Sequence, residues 1–185
     1  WQSLPALIAA AREKPGSIRF GSNGNGTSSH AKLEILKRLA GVDITHVPYR
    51  GAAPAATDVI AGNIDGLIAA IPDVGRNERL RLLAMTTEQR LARWPDVPSV
   101  AELGLAPLVA ANWFGISGPA GIPAPVADRL NAALVESLAT PALTERLSEL
   151  GAAPNRLDRP GFTALVAADM ARWAQIVREA GIKAD

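Results

Sequence analysis

A chain of 185 residues with 19 Lys and Arg against 18 Asp and Glu fits one or two compact domains, and a formal net charge of +1 with only eight aromatic side chains excludes the basic, aromatic-studded surface that nucleic acid requires. The absence of cysteine removes disulfides, thiolate zinc sites and cysteine nucleophiles, and two histidines with no HExxH or paired acidic loop leave metal catalysis without ligands, so neither metal nor cofactor is expected. Apolar residues make up 48% of the chain, yet 35 of them are alanine, which favours closely packed helices over a sheet, and no apolar run approaches the roughly 18 residues of a membrane span.

In chain order, Ser3 caps a helix over Leu4, Leu7, Ile8 and Ala11 that must stop at Lys14-Pro15-Gly16, because proline can neither donate nor continue the turn. Ile18–Phe20 reads as a short strand. The polar, glycine-rich run from Gly21 to Ser29 then feeds a helix with Leu33, Leu36 and Leu39 at three-residue spacing, closed by Gly41. A second strand is predicted over Ile44–Val47 and a turn at Pro48–Gly51. A helix led by Pro54 runs to Gly62, followed by a third strand over Asp65–Ala69 and a fourth over Leu80–Met85. This alternation predicts right-handed βαβ units and a parallel sheet. Between Arg90 and Asn112 the rhythm breaks, and a domain crossing is placed there. Trp113–Ser117 reads as one further strand, ahead of three helices: one with Val126, Leu130, Leu134 and Leu138 on a single face, one capped by Thr140-Pro141, and one from about Asp158 to Gly181. Three apolar helix stripes need a sheet beneath them, and the residues after 113 supply too few strands for one.

The glycine-rich loop is the most informative local feature. Glycine lets the backbone approach a ligand, and the helix start behind it aims free N–H groups at an anion, with Thr27, Ser28 and Ser29 adding hydroxyls. One of those hydroxyls is needed as the helix cap in any case, so plain capping is the competing explanation. The run Gly24-x-Gly26-x-x-Ser29, with Arg50 after the next strand, also approximates an NADP-type dinucleotide fingerprint. Ser29 stands where the third glycine belongs, however, and no acidic residue ends the strand at Val47. A nucleotide-binding or small α/β enzyme module is therefore the alternative function. No G-x-S-x-G elbow supports a serine hydrolase around Ser28-Ser29-His30. His30 reads as a partly exposed first-turn residue, His46 as a hydrogen-bonded structural histidine, Asp65 as a turn carboxylate, Trp113, Phe114 and Trp173 as core candidates, and Arg76, Arg79 and Arg81 as a solvated face.

Several segments taken together resemble the periplasmic solute-binding proteins of tripartite tricarboxylate transporters, the Bug or TctC-like family. They are Lys14-Pro15-Gly16, Gly26-Thr27-Ser28-Ser29-His30, His46-Val47-Pro48-Tyr49-Arg50-Gly51, Gly62-Asn63-Ile64-Asp65, Leu80-Arg81-Leu82-Leu83-Ala84, Pro95-Asp96-Val97-Pro98-Ser99, Trp113-Phe114-Gly115 and Pro119-Ala120-Gly121, and they cover nearly the whole chain. The resemblance implies an α/β, two-lobed Venus-flytrap protein that is not an enzyme. Such a protein captures a small di- or tricarboxylate or aromatic acid between two helix-start loops and hands it to membrane permease subunits. It is periplasmic and does not itself span the membrane. Residues carried over to the ligand site are Asn25, Gly26, Thr27, Ser28 and Ser29, with Tyr49 and Arg50 at the turn near the cleft.

Two departures from the family pattern stand out. Residues 1–112 would form a complete second lobe and 113–185 only the C-terminal part of the first, whose own carboxylate loop is expected to be absent. Relatives often carry polar residues where this chain has Ala69 and Ala70 and a small one at Asp73, so Ala70 and Asp73 border the cleft with altered chemistry. Since a helix start contributes about 0.3–2 kcal/mol to a bound anion and a charge-assisted hydrogen bond about 1.5–3, one loop falls short of the roughly 8 kcal/mol of micromolar binding. Dicarboxylate affinity of this chain is expected to be millimolar or weaker.

Overall fold

The computed structural model describes every residue except Arg76 and 183–185, so the cation expected at 76 lies outside the described residues. The chain divides into two compact units: Trp1–Asn112 together with the residues from Ile176 on, and Trp113–Gln175.

In the first unit, α1 (Leu4–Glu13) starts where the Ser3 hydroxyl accepts the Ala6 N–H at 3.3 Å, and it buries Leu4, Leu7 and Ala11. Its Arg12 guanidinium donates to the Ala40 carbonyl at 2.7 Å, satisfying an acceptor at the end of the next helix that would otherwise be orphaned. Strand β1 (Arg19–Ser22) leads through the glycine loop to α2 (Ser28–Ala40), which stops at Gly41 in the left-handed region, φ 61°. Strand β2 (Thr45–Pro48), α3 (Ala52–Ala61) and the two-residue β3 (Gly66–Leu67) complete the alternation. All three strands are parallel, in the order β2-β1-β3, with Phe20 opposite His46 on one side and Gly66 on the other.

That order has a mechanical consequence. The connection from β1 to β2 moves one way along the sheet and the connection from β2 to β3 moves back past β1. Right-handed crossovers in opposite directions set α2 and α3 on opposite faces and leave a topological switch point between β1 and β3. Leu33, Leu36 and Ile35 of α2, Ala52, Ala55 and Ala56 of α3, and Ile18, Phe20 and Ile44 fill the core, while Leu39, expected on the apolar face, stays 37% exposed.

Beyond β3 the expected strands shrink or vanish. Asp65–Ala69 contributes only Gly66–Leu67 to the sheet, and Leu80–Met85 forms a single parallel bridge, Met85 to Ser99, beside the proline-rich Pro95–Pro98 segment that cannot donate a full ladder. A four-residue helix α4 (Ile71–Val74) and a 3-10 turn at Ala106–Leu108 complete the unit, and the Ser99 hydroxyl accepts the Glu102 N–H in a turn that does not become a helix. Arg79 and Arg81 are exposed, as a solvated face requires.

In the second unit, Trp113–Ser117 is exposed, has no regular secondary structure and pairs with no strand among the described residues, so the strand expected there does not form. Trp113 instead packs edge-on against Phe162 at 5.4 Å, and its indole donates to Asp169. Helices α5 (Ala124–Leu138), α6 (Pro141–Glu149) and α7 (Arg159–Ala180) follow, the last turn of α7 belonging to the first unit. Asp158 caps α7 by accepting the Gly161 N–H at 2.8 Å. Neither α5 nor α6 buries a residue: Leu130 is 60% exposed and Val126 49%.

Candidate functional site

Parallel strands direct their carboxyl ends to one edge, and that edge beside a switch point is where open α/β sheets bind ligands. Here it gathers the loop after β1 (23–27), the turn Tyr49–Gly51 after β2, and Ile68–Ala70 after β3. The Tyr49 N–H donates to the Ser22 carbonyl at 3.1 Å and the Ile68 N–H to the Gly21 carbonyl at 3.2 Å, pinning all three segments at the level of the last β1 residues.

The loop holds a defined shape. Gly24 (φ 130°) and Gly26 (φ 71°) adopt backbone conformations that side-chain-bearing residues rarely take, and a Cβ on Gly24 would sit 3.3 Å from the Tyr49 carbonyl oxygen. Thr27 caps α2: its hydroxyl donates to the Gly24 carbonyl at 2.7 Å, lies 3.0 Å from the Ser29 hydroxyl, and accepts the His30 N–H at 3.5 Å. Buried Ser29 accepts the Asn23 N–H at 2.9 Å, so the serine in the place of a third fingerprint glycine ties the loop to its own helix. The amides of Ser28 and Ser29, the first two of α2, find no acceptor among the described residues. They are the orphan donors that an anion can take.

Support comes from the residues beneath. Buried Ser22 accepts the Gly24 N–H at 3.1 Å and shares a 2.6 Å hydrogen bond with Nε2 of His46. His46 stacks on His30 with ring centroids 3.9 Å apart, and Nδ1 of His30 accepts the Gly26 N–H at 3.2 Å. Both imidazoles are held below the ordinary histidine range, first by burial; for His46 the neighbouring His30 charge acts in the same direction. Both histidines are thus bonded members of the loop's scaffold.

The candidate residues occupy different positions around this edge. Asn25, Gly26, Thr27, Ser28 and Ser29 form the loop itself. The Tyr49 hydroxyl donates to Asp58 at 2.7 Å, Asn63 holds the other Asp58 oxygen at 3.0 Å, and burial with that carboxylate bond raises the phenol pKa while the two donors lower that of Asp58. Tyr49 therefore meets the loop through its backbone and braces it from α3. Arg50 is exposed and makes no hydrogen bond or ion pair among the described residues. Ala70 precedes α4 at the β3 edge, and Asp73 lines a shallow cleft of about 540 Å³ with Pro72, Asn77, Glu78 and Arg79. A second cleft of about 390 Å³ lies between α2 and the end of α7, and neither cleft is lined by the loop. The sequence reading missed Ser22, Lys32 and Asn112. The Asn112 side-chain oxygen accepts from Ser28 Oγ at 3.4 Å and from Lys32 Nζ at 3.3 Å, joining residue 112 to the start of α2. The available signal was Lys32 four residues after Ser28, a cation on the helix face that the leucines bury.

A doubly wound parallel sheet with a capped helix start at its switch point is the architecture of the periplasmic-binding class of α/β proteins. Residues 1–182 match the family described as tripartite tricarboxylate transporter family receptor, and the chain belongs to it. This is a family of substrate-binding receptors and not of enzymes, which sets the small-enzyme alternative aside. The chain is 34% identical over 194 residues to a protein from the tcbD–tcbE intergenic region of Pseudomonas sp., covering 100% of this chain and 56% of that one. It is 34% identical over 185 residues to protein BugT of Bordetella pertussis, covering 98% and 56%. Among solved structures it matches R. palustris Rpa4515 with adipate (31% identity, TM-score 0.88, 98% of this chain and 62% of that one) and MatC from Rhodopseudomonas palustris with bound malate (26%, 0.79, 95% and 62%). The chain spans little more than half the length of these curated relatives.

Proposed function

We propose that this chain is the larger part of a periplasmic receptor that captures a small dicarboxylate and delivers it to membrane permease subunits. Residues 1–112 act as one complete lobe, and 113–185 as the C-terminal portion of the other, although the residues from Ile176 on cluster with the first unit. A carboxylate of the ligand accepts from the Ser28 and Ser29 amides, with Thr27 holding the helix start in place, Asn25 and Gly26 shaping the approach and Tyr49 bracing it. Arg50, Ala70 and Asp73 border the same edge. The observation that carries this reading is that the Ser28 and Ser29 amides, at the carboxyl edge of the sheet, find no acceptor among the described residues. Its chemical class follows from the adipate and malate that two relatives hold. No helix among the described residues is long and apolar enough to cross a membrane, in keeping with a receptor that works beside its permease.

Calorimetry of this chain with adipate, malate and acetate tests the reading. The expected order is adipate and malate above acetate, at millimolar strength, with Thr27→Ala weakening both dicarboxylates. Equal, unsaturable heats for all three acids would overturn it.

A further inference from the structure

Gly26 offers its N–H to a ring nitrogen, and a ring nitrogen accepts only while it carries no proton. Nδ1 of His30 must be bare for this bond to hold Gly26. When it is protonated, two donors face each other across 3.2 Å and the bond is lost. The second ring restricts where the proton can go. His46 lies parallel to His30 at 3.9 Å, tilted by 13°, and its Nε2 is engaged by the Ser22 hydroxyl, which also accepts the Gly24 N–H. Two imidazolium rings at that separation repel each other, so one proton enters the pair well before a second. The charged groups acting on the stack are Glu34 and Lys37 of α2, paired at 2.9 Å, the first favouring protonation and the second opposing it.

We propose that His30 is a pH-gated positioning residue for the ligand loop: its neutral ring, held by the stack on His46, fixes Gly26, and acid releases it. The link from loop shape to carboxylate affinity rests on the function proposed above; the link from His30 to Gly26 does not. The predicted sign is informative. If charge dominated, an imidazolium beside an anion site would tighten binding in acid; if geometry dominates, binding weakens.

The test is an NMR titration of the full 185-residue chain from pH 8 to pH 5, following the Gly26 amide and the two histidine rings, with adipate affinity measured across the same range. The Gly26 amide resonance is expected to move upfield with the midpoint of the His30 ring, while the signals of buried Leu33 and Val100 stay dispersed. Adipate binding is expected to weaken about three- to tenfold in acid, the share of one neutral hydrogen bond. His30→Asn keeps an acceptor oxygen near the Nδ1 position and removes the titration. It should flatten the Gly26 response and also corrects for protonation of adipate itself. A Gly26 amide that ignores the His30 titration, or adipate affinity that rises in acid relative to His30→Asn, would overturn the inference. A Gly26 response with no adipate binding at any pH would uphold the positioning role and overturn the carboxylate reading instead.

Discussion

Thr27 concentrates much of the loop's order in one hydroxyl, which caps α2, ties back to Gly24 and meets Ser29. Thr27→Ala should cost about 1 kcal/mol of stability, within the 0.5–2 of a lost helix cap, whereas Thr27→Ser should cost far less; chemical denaturation of both proteins measures the difference. The histidines make a second prediction. Their folded values lie below the ordinary 6.5, so the unfolded chain binds more protons just below that pH. Stability is therefore complete above about pH 6.5 and declines as pH falls through the lower folded values; melting curves at pH 8, 6 and 5 should step down in that order, and the decline should flatten in a His30→Asn, His46→Asn protein. A hydroxyl cap among Thr27, Ser28 and Ser29 and the αL glycines were legible in the sequence because each acts within four residues. The His30–His46 stack was not, because it joins a helix start to a neighbouring strand that only the parallel register brings alongside.

At the scale of elements, β3 is short and packs closely on its neighbour. A Cβ on Gly66 would meet the Phe20 ring at 2.5 Å, so Gly66→Ala should destabilise the first unit by about 1–3 kcal/mol, as overpacking of a filled core does. Phe20→Leu combined with Gly66→Ala should recover part of that loss, which a double-mutant cycle by urea denaturation would read. Helices were legible here through stop and start signals: Ser3, Gly41 and Asp158 sit at the ends where their chemistry placed them, and of the three hydroxyls offered for the start of α2 it is Thr27 that caps it. Strands were less so. Apolar runs at Leu80–Met85 and Trp113–Ser117 have strand-like composition, but a strand exists only with a partner to bond, and the structure provides one bridge to the first and none to the second among the described residues.

For the molecule as a whole, the order β2-β1-β3 brings three loop segments to one edge, the edge where the proposed site lies. The family resemblance carried by the ordered motifs is borne out across residues 1–182. The second unit tells a complementary story: Phe114 is 91% exposed, Ile116 74% and Met170 69%, and α5 and α6 bury nothing. The strand count after residue 113 made this deficit legible in advance, although which face is left bare required coordinates. In this chain Leu130→Glu should leave the melting temperature within about 2 °C, since an exposed surface change is worth no more than about 0.5 kcal/mol, while lowering binding of the hydrophobic dye ANS.

The sharpest single measurement is a backbone-amide NMR titration of this chain with adipate at pH 8, carried to tens of millimolar. Receipt of a carboxylate at the start of α2 predicts that the Ser28 and Ser29 amides shift most, with Gly26 and Thr27 following, on one saturable curve. Motionless Ser28 and Ser29 signals, while amides elsewhere respond or none does, would contradict it.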